Sequence, residues 1–246
     1  MTALAKLTAV QFKLFVREKI LLFFTFAFPL LLLAGFGTIK GFREASPDLG
    51  GQTGIELIAS IAIAMVVAML GMSALPSSLT SDREQGVLRR LAASPVHPAM
   101  LLLAQVAVGL LAAVVMVVLV VGLGRFAYGI PEPERLGAFV AVLALAAAAL
   151  FGVGLLVAAL APSARGAQLI GFILFYPSLF LAGVWFPREA LPPALQRVSD
   201  FTPLGAALQG VRDTWTGHSP RPLHLAIMAA WAVLAGTAAA RFFRWE

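Results

Sequence analysis

Charged side chains in this chain fall in its connectors, and six apolar stretches between them carry none. The stretches are Ile20–Ile39, Leu57–Leu75, Ala99–Gly124, Leu136–Ala161, Gly166–Phe186 and Leu223–Ala240. Crossing a hydrocarbon core of about 30 Å takes ~20 helical residues at about 1.5 Å rise each, and every stretch is of that order. Backbone groups in lipid must be paired within the segment, so each span is expected to be helical. The alternating segments of about ten residues that mark a membrane barrel are missing from the sequence. The pattern predicts an all-α integral membrane protein with six transmembrane helices, at about 20–39, 57–75, 99–124, 136–161, 166–186 and 223–240. The spans take up more than half of the 246 residues. What remains is short connectors, so residues 1–246 read as a single membrane domain.

Polar and apolar positions also alternate before the first span. Lys6, Lys13 and Arg17 share one helical face, and Leu4, Leu7, Phe12, Leu14 and Phe15 lie roughly opposite. Residues 1–19 are therefore expected to form an amphipathic helix lying in the membrane interface. A secretory signal fits less well: the leader is too long, and no small-residue cleavage site follows the first span.

The connectors differ in content. Lys40–Glu56 is Gly-rich, with Pro47 and Gly50-Gly51 as turn formers, and Arg125–Arg135 holds Pro131 and Pro133. In Pro187–Pro222, Pro192-Pro193 can open a helix through Ser199, and Asp200 to Pro203 breaks it. A second apolar run covers Leu204 to Trp215. Both pieces are too short to span and are expected as short helices lying at, or dipping into, the outer leaflet. Pro162–Arg165 is a tight turn. Pro76–Pro98 is the one sizeable connector between spans on the other side. Within it Ser81-Asp82-Arg83-Glu84 fits a capping box. A helix is expected from Asp82 to about Ala93, stopped by Ser94-Pro95. Glu84, Val87, Leu88 and Leu91 share one of its faces; Asp82, Arg83, Gly86, Arg89 and Arg90 share the other.

Charge then sets orientation. Placing both termini on one side puts ten Lys and Arg residues there and eight opposite, four of them in the long Pro187–Pro222 connector that counts least. Both termini are expected in the cytoplasm. An Ala-rich chain with 14 Arg against 4 Lys also fits GC-rich coding and a bacterial cell membrane. There is no cysteine and no asparagine, which excludes disulfides, thiol chemistry and N-glycosylation. His97, His218 and His224 have no partners at metal-ligand spacing, so no metal site is expected. No span pairs a nucleophile with a buried base, so the chain is not read as an enzyme. No carboxylate lies deep in a span; Glu56 sits at the edge of span two, which weighs against an ion-coupled carrier. Nothing points to nucleic acid. Pro29 and Pro177 are candidate kinks in spans one and five. Gly37-x-x-x-Gly41 is a candidate helix-contact patch.

The run Glu84-x-Gly86-x-x-Arg89-Arg90-Leu91, followed by Pro95 between the second and third of six spans, resembles the signature of ABC-2 type transporter permeases. Phe186-Pro187, Leu191-Pro192, Pro203 and Arg212 resemble that family's pattern between spans five and six. The likeness covers the whole chain in layout, and roughly residues 80–105 and 183–215 in motif. It implies that the helix holding Asp82, Arg83, Glu84, Gly86, Arg89, Arg90 and Leu91 is a coupling helix docking on a separate ABC ATPase subunit. Glu84 and Arg89 or Arg90 would make charge-assisted contacts there, and Gly86 would allow close backbone approach. The alternative is a membrane-surface helix whose arginines meet anionic lipid. The resemblance further implies a second permease copy or paralogue, with spans two and five lining the path between them. Ser60, Met65 and Met69 on span two, and Phe172, Tyr176 and Phe180 on span five, are the candidate pathway residues. Met and aromatic side chains suit an adaptable apolar site for a small hydrophobic substrate. The sequence has no G-x-x-x-x-G-K-[ST] phosphate loop. ATP and Mg are therefore expected in the partner, with no cofactor in this chain. The implied function is export of a drug, antibiotic or lipid. An ATP-independent channel or secondary carrier, and a non-transporting membrane anchor, are the other readings.

Overall fold

The structure, a computed structural model, describes residues 3–46, 49, 51–92, 99–185 and 188–242, apart from the side chains of Ala92 and Glu189. Pro47, Gly50, the Ser94-Pro95 stop, His97 and the Phe186-Pro187 pair lie outside the described residues. A leader helix (Ala3–Arg17) precedes six apolar helices long enough to cross a membrane: Lys19–Gly37, Gly54–Glu84, Ala99–Tyr128, Leu136–Leu160, Ala164–Ala182 and Pro222–Phe242. Among the described residues there is no strand, only a single bridge between Ala45 and Thr53. The chain is an all-α, multi-pass membrane protein. We call the end holding the leader helix and the Ala161–Ser163 turn the foot, and the opposite end the head.

Span two is the centre of the bundle. In its most apolar window 83% of the residues are buried, against 22% in spans one, five and six. Its start is fixed by a capping box: Glu56 N donates to Thr53 Oγ1 at 3.2 Å and Thr53 N to Glu56 Oε2 at 2.9 Å. The Glu56 carboxylate caps a helix, which explains its place at the edge of the span.

The end of span two corrects the sequence reading. The helix does not stop at Leu75; it continues through Pro76 to Glu84. Proline has no N–H to donate, and its ring clashes with the carbonyl four residues back. Here the turn Leu70–Ala74 widens to π geometry just before Pro76, and Leu75 N reaches back to Leu70 O. The wide turn makes room for the ring, so the helix survives. Span one repeats the device: a π turn at Phe23–Ala27 precedes Pro29, with Phe28 N bonded to Phe23 O. Pro177 lies inside the helix of span five.

Ser81 is consequently not an N-cap. Its carbonyl accepts from Gln85 N at 3.0 Å as part of the same helix. Extending an existing helix adds a hydrogen bond per residue fixed, whereas a new start must be nucleated. The separate short helix begins only after Gly86 and covers Val87–Ala92. Gly86 has φ 69°, and a Cβ there would meet nothing within 4 Å. Its glycine permits the left-handed turn.

Glycines set the central crossing. A Cβ on Gly154 of span four would lie 1.8 Å from Gly71 O of span two, and one on Gly171 of span five 2.7 Å from Met72 O. Spans four and five thus cross span two in backbone contact at its π turn. Gly37 packs on the Tyr128 ring, but Gly41 faces open space, so these two glycines form no shared contact patch.

At the head, two helices, Pro193–Phe201 and Pro203–Trp215, form a hairpin. The second is part of the bundle's packing. It is buried along nearly its whole length and packs on spans two, four, five and six. Thr202 caps it through Gly205 N at 3.0 Å. Trp215 anchors it, with Nε1 donating to Pro131 O at 3.1 Å and its ring edge-on to Phe139 at 5.9 Å.

Candidate functional site

The residues expected on one coupling helix divide into two sets. Asp82, Arg83 and Glu84 form the last turn of span two. Successive helical residues are turned about 100° apart, so the three side chains leave in different directions. Asp82 Oδ2 accepts from Gln105 Nε2 of span three at 2.6 Å and from Gln11 Nε2 of the leader helix at 3.3 Å. Arg83 donates from Nη1 to Ala158 O at 3.3 Å and from Nη2 to Ala161 O, at the carboxyl end of span four. Glu84 Oε1 accepts from Ala164 N, the first residue of span five, at 3.1 Å. Arg83 and Glu84 match what they meet, since a helix carries partial negative charge at its carboxyl end and partial positive charge at its amino end.

Beyond the Gly86 turn lies the other set. Arg89 and Arg90 are exposed, while Leu88 is buried and Leu91 half-buried. Arg90 is tied back to the turn: its N donates to Gly86 O at 3.1 Å and its Nη2 to Gln85 O at 3.0 Å. The short helix therefore projects from the most buried span on a two-residue turn, with basic side chains outward.

The candidate pathway residues are not gathered within one chain. Ser60 is fully buried and its hydroxyl donates to Glu56 O at 2.9 Å. Met65 and Met69 are half-buried on span two. Phe172, Tyr176 and Phe180 are 38%, 54% and 40% exposed on one face of span five, with the Phe172 and Tyr176 rings 5.8 Å apart. An open apolar groove of about 470 Å³ lies elsewhere, between the leader helix and span three, lined by Leu4, Thr8, Phe12, Val108 and Leu111 among others.

Sequence reasoning missed the polar clusters. Gln105 carried a signal, as a lone amide inside an apolar stretch, where polar groups seek partners. Gln11 carried none. At the head, Asp200 Oδ1 accepts from Arg188 Nη2 at 2.5 Å and meets His224 Nε2 at 3.1 Å, joining the hairpin to the first turn of span six. Arg212, buried on the second hairpin helix, donates to Gln52 Oε1 at 3.1 Å. His224 is thus held by a carboxylate. Among the described residues no group of three or more His, Asp or Glu is placed to hold a metal ion.

Comparison with known proteins agrees with this architecture. Over 142 residues the chain is 28% identical to "Probable multidrug ABC transporter permease YbhR" of Escherichia coli K12, a match covering 58% of the chain and 39% of that protein. It is 36% identical over 96 residues to "Nodulation protein J" of Neorhizobium galegae, covering 38% of the chain and 36% of the relative. It is 32% identical over 95 residues to the protein of the same name from Rhizobium leguminosarum bv. viciae, covering 38% and 37%. The chain thus covers about two fifths of the length of these relatives or less. The family model for the ABC-2 type transporter matches residues 2–215, from the leader helix to the end of the hairpin. Six apolar spans and this match together make the chain a multi-pass membrane protein of the ABC-2 type transporter family.

Proposed function

We propose that this chain is the permease subunit of an ATP-driven exporter, powered by a separate ABC ATPase subunit that docks on Val87–Ala92. The observation that carries this reading is the short helix itself. It hangs from the central span on the Gly86 turn and presents Arg89 and Arg90 outward. Guanidinium groups in that position suit a carboxylate-bearing groove on a partner, where charge-assisted and bidentate bonds form. Both termini and the foot face the cytoplasm of a bacterial cell, and the leader helix lies at the membrane interface. ATP and Mg are bound by the ATPase, not by this chain.

A second permease copy or a paralogue completes the transporter. Phe172, Tyr176 and Phe180 form an aromatic face on span five that its own chain leaves exposed. The partner's equivalent face meets it, with Met65 and Met69 at the margin and Ser60 held behind them. Such a path is apolar and adaptable. It suits a hydrophobic or amphipathic cargo such as a drug, antibiotic or lipid, and the multidrug name of one relative supports that class. Switching between inward- and outward-facing states follows from ATP-driven movement of the docked helices.

The test is co-purification with the ATPase encoded beside this chain, comparing the parent with Arg89→Ala/Arg90→Ala. The expected result is a stable parent complex and a double variant that keeps its membrane fold but loses the ATPase. A parent that transports without any ATPase would make a channel or secondary carrier the better reading.

A further inference from the structure

We infer that Asp82, Arg83 and Glu84 form a bracket that couples span two to spans three, four and five, and not a surface that the ATPase subunit touches. The inference rests on the ATPase-docking reading above and assigns these residues a different task within it. They are positioning residues, acting through other parts of the bundle.

The geometry is that of a three-way tie. Asp82 holds span three through Gln105, and the leader helix through Gln11. Arg83 holds the last carbonyls of span four, and Glu84 the first N–H of span five. The tight turn between spans four and five is therefore gripped on both sides, by a cation at its carboxyl-end carbonyls and a carboxylate at its amino-end N–H. Three of these five bonds engage a span, one engages the turn at Ala161, and one engages the leader. None of the five is made with a residue of Val87–Ala92.

That helix is nevertheless joined to the bracket by two residues, Gln85 and Gly86. Arg90 fastens it to both of them through backbone carbonyls. A displacement of the short helix has a direct route into the membrane through the foot of span two. Coupling of this kind runs along contiguous hydrogen-bonded elements with discrete arrangements. With the bracket closed, the feet of spans two, four and five move together. Farther up, Gly154 and Gly171 keep the same three spans in backbone contact at the π turn of span two. Bracket and crossing make these spans one body, with two fastenings along its length.

The test uses the permease with the ATPase subunit encoded beside it, reconstituted together. Two quantities are read: the affinity of the ATPase for the permease, and the permease-dependent rise in ATP turnover. Arg83→Gln and Glu84→Gln are expected to leave affinity nearly unchanged and to cut the turnover response about tenfold, a typical allosteric coupling factor. Arg83→Lys keeps the cation and is expected to recover most of the response. If Glu84→Gln instead weakens ATPase binding as Arg89→Ala/Arg90→Ala does, Glu84 is a docking residue and the inference fails. Normal turnover in both variants also overturns it. A parent that binds no ATPase defeats the docking reading first, which separates the two failures.

Should the variants not fold, the chain's lack of cysteine allows a second reading. Spin labels at Gln85→Cys and Arg165→Cys, both exposed positions, report the distance between the feet of spans two and five. The bracket predicts a distance that stays constant when ATPase and nucleotide are added. A change of about 5 Å, one helical turn, would show the two feet moving apart and would refute it.

Discussion

Gly154→Ala is the sharpest probe of the packing described above. The added methyl would sit 1.8 Å from Gly71 O and 2.9 Å from Gly71 C, both backbone atoms of span two. The reason lies in the π turn. Leu75 N reaches back to Leu70 O, and Pro76 has no N–H for the next carbonyl, which turns the Gly71 carbonyl toward span four. Relief of the clash to about 3.5 Å needs the two helices to separate by roughly 1.7 Å. Overpacking of this sort costs about 1–3 kcal/mol, with backbone clashes at the upper end. Alanine returns ~1 kcal/mol of helix propensity over glycine. The net expectation is about 2 kcal/mol of destabilisation.

Gly122 in span three and Gly236 in span six supply the control. A Cβ at either meets nothing within 4 Å, so Gly→Ala there gains the ~1 kcal/mol of propensity alone. Gly154→Ala and Gly122→Ala should therefore differ by about 3 kcal/mol, or roughly 6–12 °C in Tm for a chain of this size. Thermal unfolding of the detergent-solubilised protein, followed by circular dichroism, reads the difference. If Gly154→Ala melts at or above Gly122→Ala, the contact between spans two and four is looser than described and the reasoning is wrong.

Two further predictions follow from the polar clusters and the turn. Asp200→Asn removes the charge shared by Arg188 and His224, whose side chains are 13% and 1% exposed; stability should fall by about 3 kcal/mol, and a melting point within error of the parent would mean that the triad contributes nothing. Gly86→Val forces a β-branched residue to φ 69°, at a cost of about 1–2 kcal/mol, whereas Gly86→Asn tolerates that region better; ATPase binding should drop for Val more than for Asn, and equal binding would show that the turn does not position Val87–Ala92.

Most of the fold was readable because one physical quantity dominates in a bilayer. A charge-free run of about twenty residues has few alternatives to a spanning helix, and the starts of spans three and four match the predicted residues. Local caps were readable less evenly. Ser81-Asp82-Arg83-Glu84 has the composition of a helix start, yet it lies at a helix end, because hydrogen bonds from the preceding turns already hold it. Thr53 and Glu56, which do form the box, lie just before Leu57, where the charge-free stretch begins. The bracket partners were less legible still. Gln11 and Ala164 lie 71 and 80 residues from their carboxylates, a pairing only tertiary packing can make.

Pro76 accounts for much of what was misread, and its consequence is functional. Read as a stop, it ends span two at the membrane surface and leaves Asp82–Leu91 as one detached helix. Carried through by the π turn, span two has 31 residues, about 46 Å at 1.5 Å rise each. A hydrocarbon core of about 30 Å cannot contain that length in a helix near the bilayer normal. The length that the sequence reading left out is the foot end, from Pro76 to Glu84. The last turn with Asp82, Arg83 and Glu84 belongs to this extension, where Asp82 and Arg83 are partly buried and hydrogen-bonded to neighbouring helices. Spans four and five turn at that same level. Charged residues next to helix ends at the edge of the hydrocarbon can tie a bundle together in a way that apolar contacts cannot, since lipid competes for every apolar surface. The run from Glu84 to Leu91 that resembles the family's signature thus falls on two pieces of structure, the exposed basic helix and the charged turn hydrogen-bonded to the neighbouring spans.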